Sequence, residues 1–167
     1  MAFSNRMQFI ARTTLTGTAS SVSFQNISSL YRKFHVIAFI VKDATTNTVN
    51  VRFNNDSGAN YAFEDLTANG ATAAGARTTG STAITPSTSI AASSYGLLTL
   101  DIAKPLTSTT GRVVAHMSKD GNATGIFLNE IAGEWTNTTN LISRIDILAV
   151  TGNFAAGTLV LLYGSRD

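Results

Sequence analysis

The residues able by type to do chemistry are few and scattered, and the densest group is in the stretch VRFNNDSGANYAF, Val51–Phe63, which holds Asn54, Asn55, Asp56 and Asn60. A calcium loop of the helix–loop–helix kind needs D-x-[DN]-x-[DN]-G and a bidentate Glu at its twelfth position. Here Asp56, Gly58 and Asn60 stand at other offsets, and one carboxylate is little charge with which to hold Ca²⁺. Asx side chains that bond their own backbone, followed by a Gly that lets the chain reverse, make a bend between two strands instead.

The other candidates resolve the same way. His35 and His116 lie beside apolar neighbours and have no carboxylate or thiolate at metal-ligand spacing, so they read as satisfied core or interface histidines. A retaining glycosidase needs two carboxyls about 5–5.5 Å apart. Glu64 and Asp65 are adjacent in a strand and point to opposite faces, and they and the pair Glu130 and Glu134 read as solvated surface charge. The chain contains no G-x-S-x-G, S-x-x-K, thiol or phosphate-binding P-loop. No catalytic residue, metal or cofactor is therefore expected. Trp135, the only tryptophan, has the chemistry of a sugar-stacking platform or of a core anchor. Its place shortly before an apolar strand favours the core or a sheet edge.

Composition bounds the partners. The chain has 167 residues, enough for one domain with one core. It has no cysteine, so packing and backbone hydrogen bonds must hold it. A net charge of +2 comes without a basic run, and Arg32-Lys33 is the one basic doublet, so nucleic acid is not an expected partner. No stretch of about 18 apolar residues occurs and the N-terminus lacks an apolar signal core, so no membrane is expected either. Charged residues make up 13% of the chain, about half the usual share. Either part of the exterior meets another protein, or the chain is an extracellular or particle-borne β-protein with a Thr-rich skin.

Alternation with period two supplies the elements that would position these groups. Val49, Val51 and Phe53 share one face of a half-buried strand, and Lys33–Lys42 is apolar on both faces, as a central strand covered on both sides would be. Further strands are expected at Met7–Thr13, Ser21–Phe24, Tyr61–Leu66, Gly96–Ala103, Arg112–Ser118, Gly125–Ile131, Leu141–Val150 and Thr158–Tyr163. Turn signals separate them, Asp120-Gly121 being the sharpest. Ser28–Tyr31 has room for one helical turn. These signals predict an all-β antiparallel sandwich of about eight to ten short strands, with a jelly roll as its topology. Ala68–Ser94, built of Ala, Thr, Gly and Ser, is expected to be a long surface loop, and Met1–Thr18 an N-terminal arm ahead of the domain from Ala19 to Asp167.

Several stretches taken together carry a resemblance. Ser21–Ile27 followed by Tyr31-Arg32-Lys33-Phe34, then Val51–Tyr61, and finally Gly152–Thr158 with Leu162-Tyr163-Gly164, resemble a β-sandwich domain of tailed-bacteriophage virion proteins. The similarity runs from about Ser21 to Gly164 and lies in turns and core strands. It implies a non-enzymatic particle protein of the capsid decoration, cement, head-fibre or tail-appendage kind, commonly a homotrimer. The family often has Pro where Ser28-Ser29-Leu30 stands, and an aromatic-His pair where this chain reads Ala62-Phe63-Glu64-Asp65, so no histidine role carries over.

A fibre needs a stalk, and the sequence has neither heptads nor a G-X-Y run. The expected function is a decoration or cement protein on the outer capsid surface, binding the major capsid protein and itself, with Phe3, Met7, Phe9 and Ile10 of the arm as candidate contacts. The alternative is an appendage that binds a host receptor or glycan through Asp56, Asn60, Tyr61 and Trp135.

Overall fold

The computed structural model describes residues 6–43, 48–86, 90–104, 107–120 and 126–166. Phe3 and Gly121 of the expected Asp120-Gly121 turn lie outside them. Among the described residues eleven strands run β1 Gln8–Thr14, β2 Ser21–Phe24, β3 Lys33–Val41, β4 Val49–Phe53, β5 Tyr61–Asn69, β6 Thr72–Ser81, β7 Tyr95–Ala103, β8 Gly111–Asp120, β9 Ile126–Trp135, β10 Ile145–Ala149 and β11 Leu159–Ser165. All neighbours pair antiparallel, in an eight-stranded sheet of order β1-β11-β3-β7-β8-β9-β5-β6 and a three-stranded sheet of order β2-β10-β4.

The core lies between the sheets. Phe34, Val36, Ala38 and Ile40 of β3, with Leu98, Leu100 and Ile102 of β7, point inward and are buried. Val22, Phe24, Val51, Phe53, Ile145 and Ile147 answer from the small sheet. Each large apolar side chain so buried contributes about 1.5–3 kcal/mol, and the period of two in these strands puts every second residue there.

Ten of the strands stand where alternation placed them, within a few residues. The eleventh overturns an expectation, because Ala68–Ser94 is not a surface loop. Residues 68 and 69 end β5, and β6 returns alongside it through a two-residue turn in which Gly70 takes φ +58°. Gly at the first central position suits the right-handed twist of a hairpin. The strand went unread because its side chains are small and mostly exposed, so its hydrogen-bond ladder rather than burial holds it. Beyond it Ala83, Ile84 and Ile90 are core residues, and Ile84 exchanges backbone hydrogen bonds with Val51 at 2.8 and 3.0 Å. This segment thus widens the cover over the large sheet.

Three more expectations change. A jelly roll would divide its strands into two sheets of similar size, and here they divide eight to three. The N-terminal arm is, over Gln8–Thr14, an edge strand of the body itself, paired with β11. Finally, β3 is central but covered on one side only, since Phe39 is 45% exposed. Ser28–Tyr31 forms a single turn, closed by the Tyr31 N–H on the Ser28 carbonyl at 3.1 Å.

Candidate interaction surface

Antiparallel register lines up side chains in rows across the outer face of the large sheet. Phe39, Leu97, Ser118, Leu128 and Ala68 form one row over β3, β7, β8, β9 and β5. The next holds Ile37, Thr99, His116, Glu130 and Leu66, and the one after it His35, Asp101, Val114, Ala132, Glu64 and Arg77. The face therefore grades from apolar at one end to ionic at the other.

At the apolar end the Phe39 and Tyr95 rings stack with centroids 5.8 Å apart, and Ile126 stands beside them, 76% exposed. Leu97 and Leu128 are each nearly half exposed. At the ionic end each pair is made within the sheet: His35 Nδ1 to Asp101 at 2.8 Å, Arg112 to Glu134 at 2.7 Å, His116 to Glu130 at 3.5 Å and Arg77 to Glu64 at 3.9 Å. Exposed pairs of this kind contribute about 0–1 kcal/mol each. The histidines are thus surface residues with carboxylate neighbours, not core ones. Glu64 and Asp65 do point to opposite faces, Asp65 accepting instead from the Thr67 hydroxyl at 3.4 Å.

Asp56, Asn60, Tyr61 and Trp135 do come together, with Tyr61 and Trp135 buried and Asp56 and Asn60 half-buried above them. Trp135 Nε1 donates to Asp56 Oδ2 at 2.7 Å, Asn60 Nδ2 donates to the same oxygen at 2.9 Å, and the Gly58 N–H to Oδ1 at 2.9 Å. The Tyr61 hydroxyl accepts from the Phe53 N–H at 3.0 Å and donates to the Asp56 carbonyl at 3.2 Å. With Trp135 and Tyr61 only 0% and 1% exposed, neither ring offers a surface to a glycan, which corrects the receptor-facing assignment. Burial by itself would raise the Asp56 carboxyl, but the bonds from Trp135, Gly58 and Asn60 outweigh it and hold the group below its ordinary value. Burial pushes the Tyr61 phenol up.

The bend reading of this stretch holds, with one change in how it turns. Asn54 and Asn55 take the left-handed conformation at φ 53° and 57°, while Gly58 does not. Gly58 is needed for space, since a Cβ there would lie 2.8 Å from Asn60 Nδ2. Asn54 also ties the bend to the segment before β10, accepting from the Ser143 and Arg144 N–H groups at 2.8 and 3.0 Å.

Two of the buried lysines, Lys104 and Lys42, add further interior polar groups. Lys104 lies over the Trp135 ring at 5.3 Å and donates to the Thr109 carbonyl and, at 2.6 Å, to the Asn137 carbonyl. Lys42 donates to the Asn153 carbonyl at 2.7 Å. Burial lowers both amines, for Lys42 against the opposing pull of Asp43. Among the described residues no cluster of three His, Cys, Asp or Glu could hold a metal ion.

Of the candidate arm contacts, Ile10 packs on the core and is used internally. Met7 and Phe9 are 44% and 58% exposed, Phe9 meeting Tyr163 edge-on at 5.7 Å. The exposed apolar residues that sequence reasoning missed are Tyr95, Leu97, Ile126, Leu128, Leu66 and Val114. A partial signal was present in β7, whose outward positions begin with Tyr95 and Leu97 before turning polar at Thr99 and Asp101.

Compared with protein-family models, curated proteins and solved structures, the chain has no match in any of the three.

Proposed function

We propose that this chain is a non-enzymatic structural protein of a bacteriophage virion, a decoration or cement protein on the outer capsid surface whose partners are the major capsid protein and copies of itself. The observation that carries the reading is the uncovered outer face of the eight-stranded sheet, apolar along one end and internally ion-paired along the other. A face of that kind is suited to burial against protein. The low charge of the chain agrees with it, and the resemblance of its turns and core strands to virion β-sandwich domains supplies the setting and the expectation of a homotrimer.

Cement action needs no reacting group. A protein that binds the assembled lattice but not its dissociated subunits stabilises the lattice by mass action, because disassembly must first break those contacts. The test is to locate this chain in density on purified particles, then to strip it and add it back. Particles lacking it should lose their contents at a lower temperature, and re-addition should restore the original value. Density on no particle, or stripped particles as robust as intact ones, would remove the proposal.

A further inference from the structure

We infer that the free edge of β6 pairs with the β6 edge of a second copy of this chain, antiparallel about a two-fold axis at Gly75, so that the two large sheets run on as one. This contact rests on reading the chain as an assembly protein and names the edge through which two copies join.

The first observation is a contrast between the two edges of the large sheet. Edge strands are commonly guarded by shortness, charge, proline or a bulge. The β1 edge has seven residues, the exposed Arg12 and a bulge between Phe9 and Ala11. The β6 edge has ten residues, no Pro or Lys, and Arg77 as its single charge, already beside Glu64 at 3.9 Å. Its register shift falls beyond Thr78, at the far end of the strand. Among the described residues no strand or bridge lies along its other side.

The open groups follow from the register. The two-residue turn makes Asn69 and Thr72 the hydrogen-bonded pair that closes the hairpin, so Thr72, Ala74, Ala76 and Thr78 turn their N–H and C=O toward β5. Ala73, Gly75 and Arg77 turn theirs outward. A row of alternating backbone donors and acceptors is matched by another extended strand.

That the strand is a second β6 follows from its sequence. Thr72-Ala73-Ala74-Gly75-Ala76-Arg77-Thr78 reads the same in both directions except at Ala73 and Arg77. An antiparallel pairing centred on Gly75 sets outward-bonding residues opposite one another, Gly75 on Gly75 and Ala73 on Arg77. It also sets Ala74 on Ala76 and Thr72 on Thr78, and cross-strand Thr pairs are favourable. The long Arg77 side chain meets the short Ala73, and the two arginines stand four positions apart, roughly 14 Å. That exceeds the screening length of about 8 Å at physiological salt. An isologous contact requires such self-complementarity.

Sedimentation of the full chain over a range of concentrations tests the contact, and the associated species should hold an even number of chains, a dimer or paired trimers. Gly75→Pro removes an outward N–H without touching the bonds to β5, and Pro is tolerated on the solvent side of an edge. It should weaken association about tenfold or more, equivalent to roughly 1.4 kcal/mol, with the circular dichroism unchanged. The exposed Ala73 gives a second measurement that does not depend on the proline variant folding: Ala73→Glu, facing Arg77 of the other copy, should tighten association severalfold, and Ala73→Lys should weaken it. No even-numbered species, an association indifferent to a folded Gly75→Pro, or Ala73→Glu weakening as much as Ala73→Lys would overturn the contact. A chain that does not self-associate but binds purified shells overturns it and leaves the assembly reading standing. Pairing that follows the Ala73 charge series in a chain that binds no shells supports it and removes that reading.

Discussion

The Trp135 indole N–H reaches the Asp56 carboxylate at 2.7 Å across 79 positions of chain, fastening the end of β9 to the bend between β4 and β5. Removing the acceptor strands a donor in the core, and a buried unsatisfied group costs about 1–3 kcal/mol. Asp56→Ala also releases the Gly58 N–H and the Asn60 amide, so urea denaturation should show a loss of about 2–4 kcal/mol. Trp135→Phe removes donor and volume together and should leave a smaller deficit from the polar bond.

The same carboxylate predicts an acid limb. Its folded value lies below the ordinary one, so the stability it contributes is complete above the ordinary carboxylate range and is lost as pH falls through the folded value. Unfolding free energy measured from pH 6 down to pH 2 should therefore decline, and Asp56→Asn, less stable at neutral pH, should decline less steeply. Parallel profiles for the two proteins would assign the acid limb elsewhere.

How far this was legible from the sequence differs by residue. Val49, Val51 and Phe53 declared their strand because one face is buried and the other is not. Thr72–Ser81 declared nothing, being held by a hydrogen-bond ladder with small side chains on both faces. The bend at Asn54 and Asn55 was visible, since Asn tolerates the left-handed conformation, but that Asp56 fastens Trp135 depends on pairing β9 with β5, which no local pattern encodes. The outer face was hidden for a related reason. Tyr95, Leu97, Ile126 and Leu128 come from two separate strands and make a surface only once β7, β8 and β9 lie side by side.

At the alkaline end buried groups oppose each other, Tyr61 on one side and Lys104, with Lys42 and Lys119, on the other. Tyr61 is raised by burial, so the unfolded chain ionises first and stability is lost as pH rises above about 10 toward the folded value. Lys104 is lowered by burial, so below that range it works in the other direction, and stability rises with pH as the folded amine loses its proton before the unfolded one. Tyr61→Phe should abolish much of the loss above pH 10 while costing about 1–3 kcal/mol at neutral pH, where it leaves the Phe53 N–H without its acceptor. Lys104→Met should flatten the rise below it. Denaturation curves from pH 7 to 11 separate the two.

Gly164 is the point where β1 rests on the sheet. A Cβ there would stand 2.6 Å from Ile10 Cδ1 and 2.8 Å from Tyr31 Cδ1. Overpacking of this size costs about 1–3 kcal/mol. Gly164→Ala should lower stability by that amount and loosen β1 first, which limited proteolysis would reveal as early cleavage near Gln8–Thr14.

That seam also separates two roles for the N-terminal residues. Deleting residues 1–6 leaves β1 intact, so unfolding free energy should stay within about 0.5 kcal/mol of the full chain. Deleting residues 1–14 removes the half-buried Ile10 and Ala11 and turns β11, sequence LVLLYGS, into an exposed edge. An apolar edge strand pairs readily with other chains, so this protein should lose about 2–4 kcal/mol and scatter light on warming. Occupancy on purified particles then reads the remaining role directly. If residues 1–6 clasp a neighbour, the short deletion lowers occupancy with melting unchanged. If β1 serves only the fold, occupancy falls in the long deletion alone, together with stability.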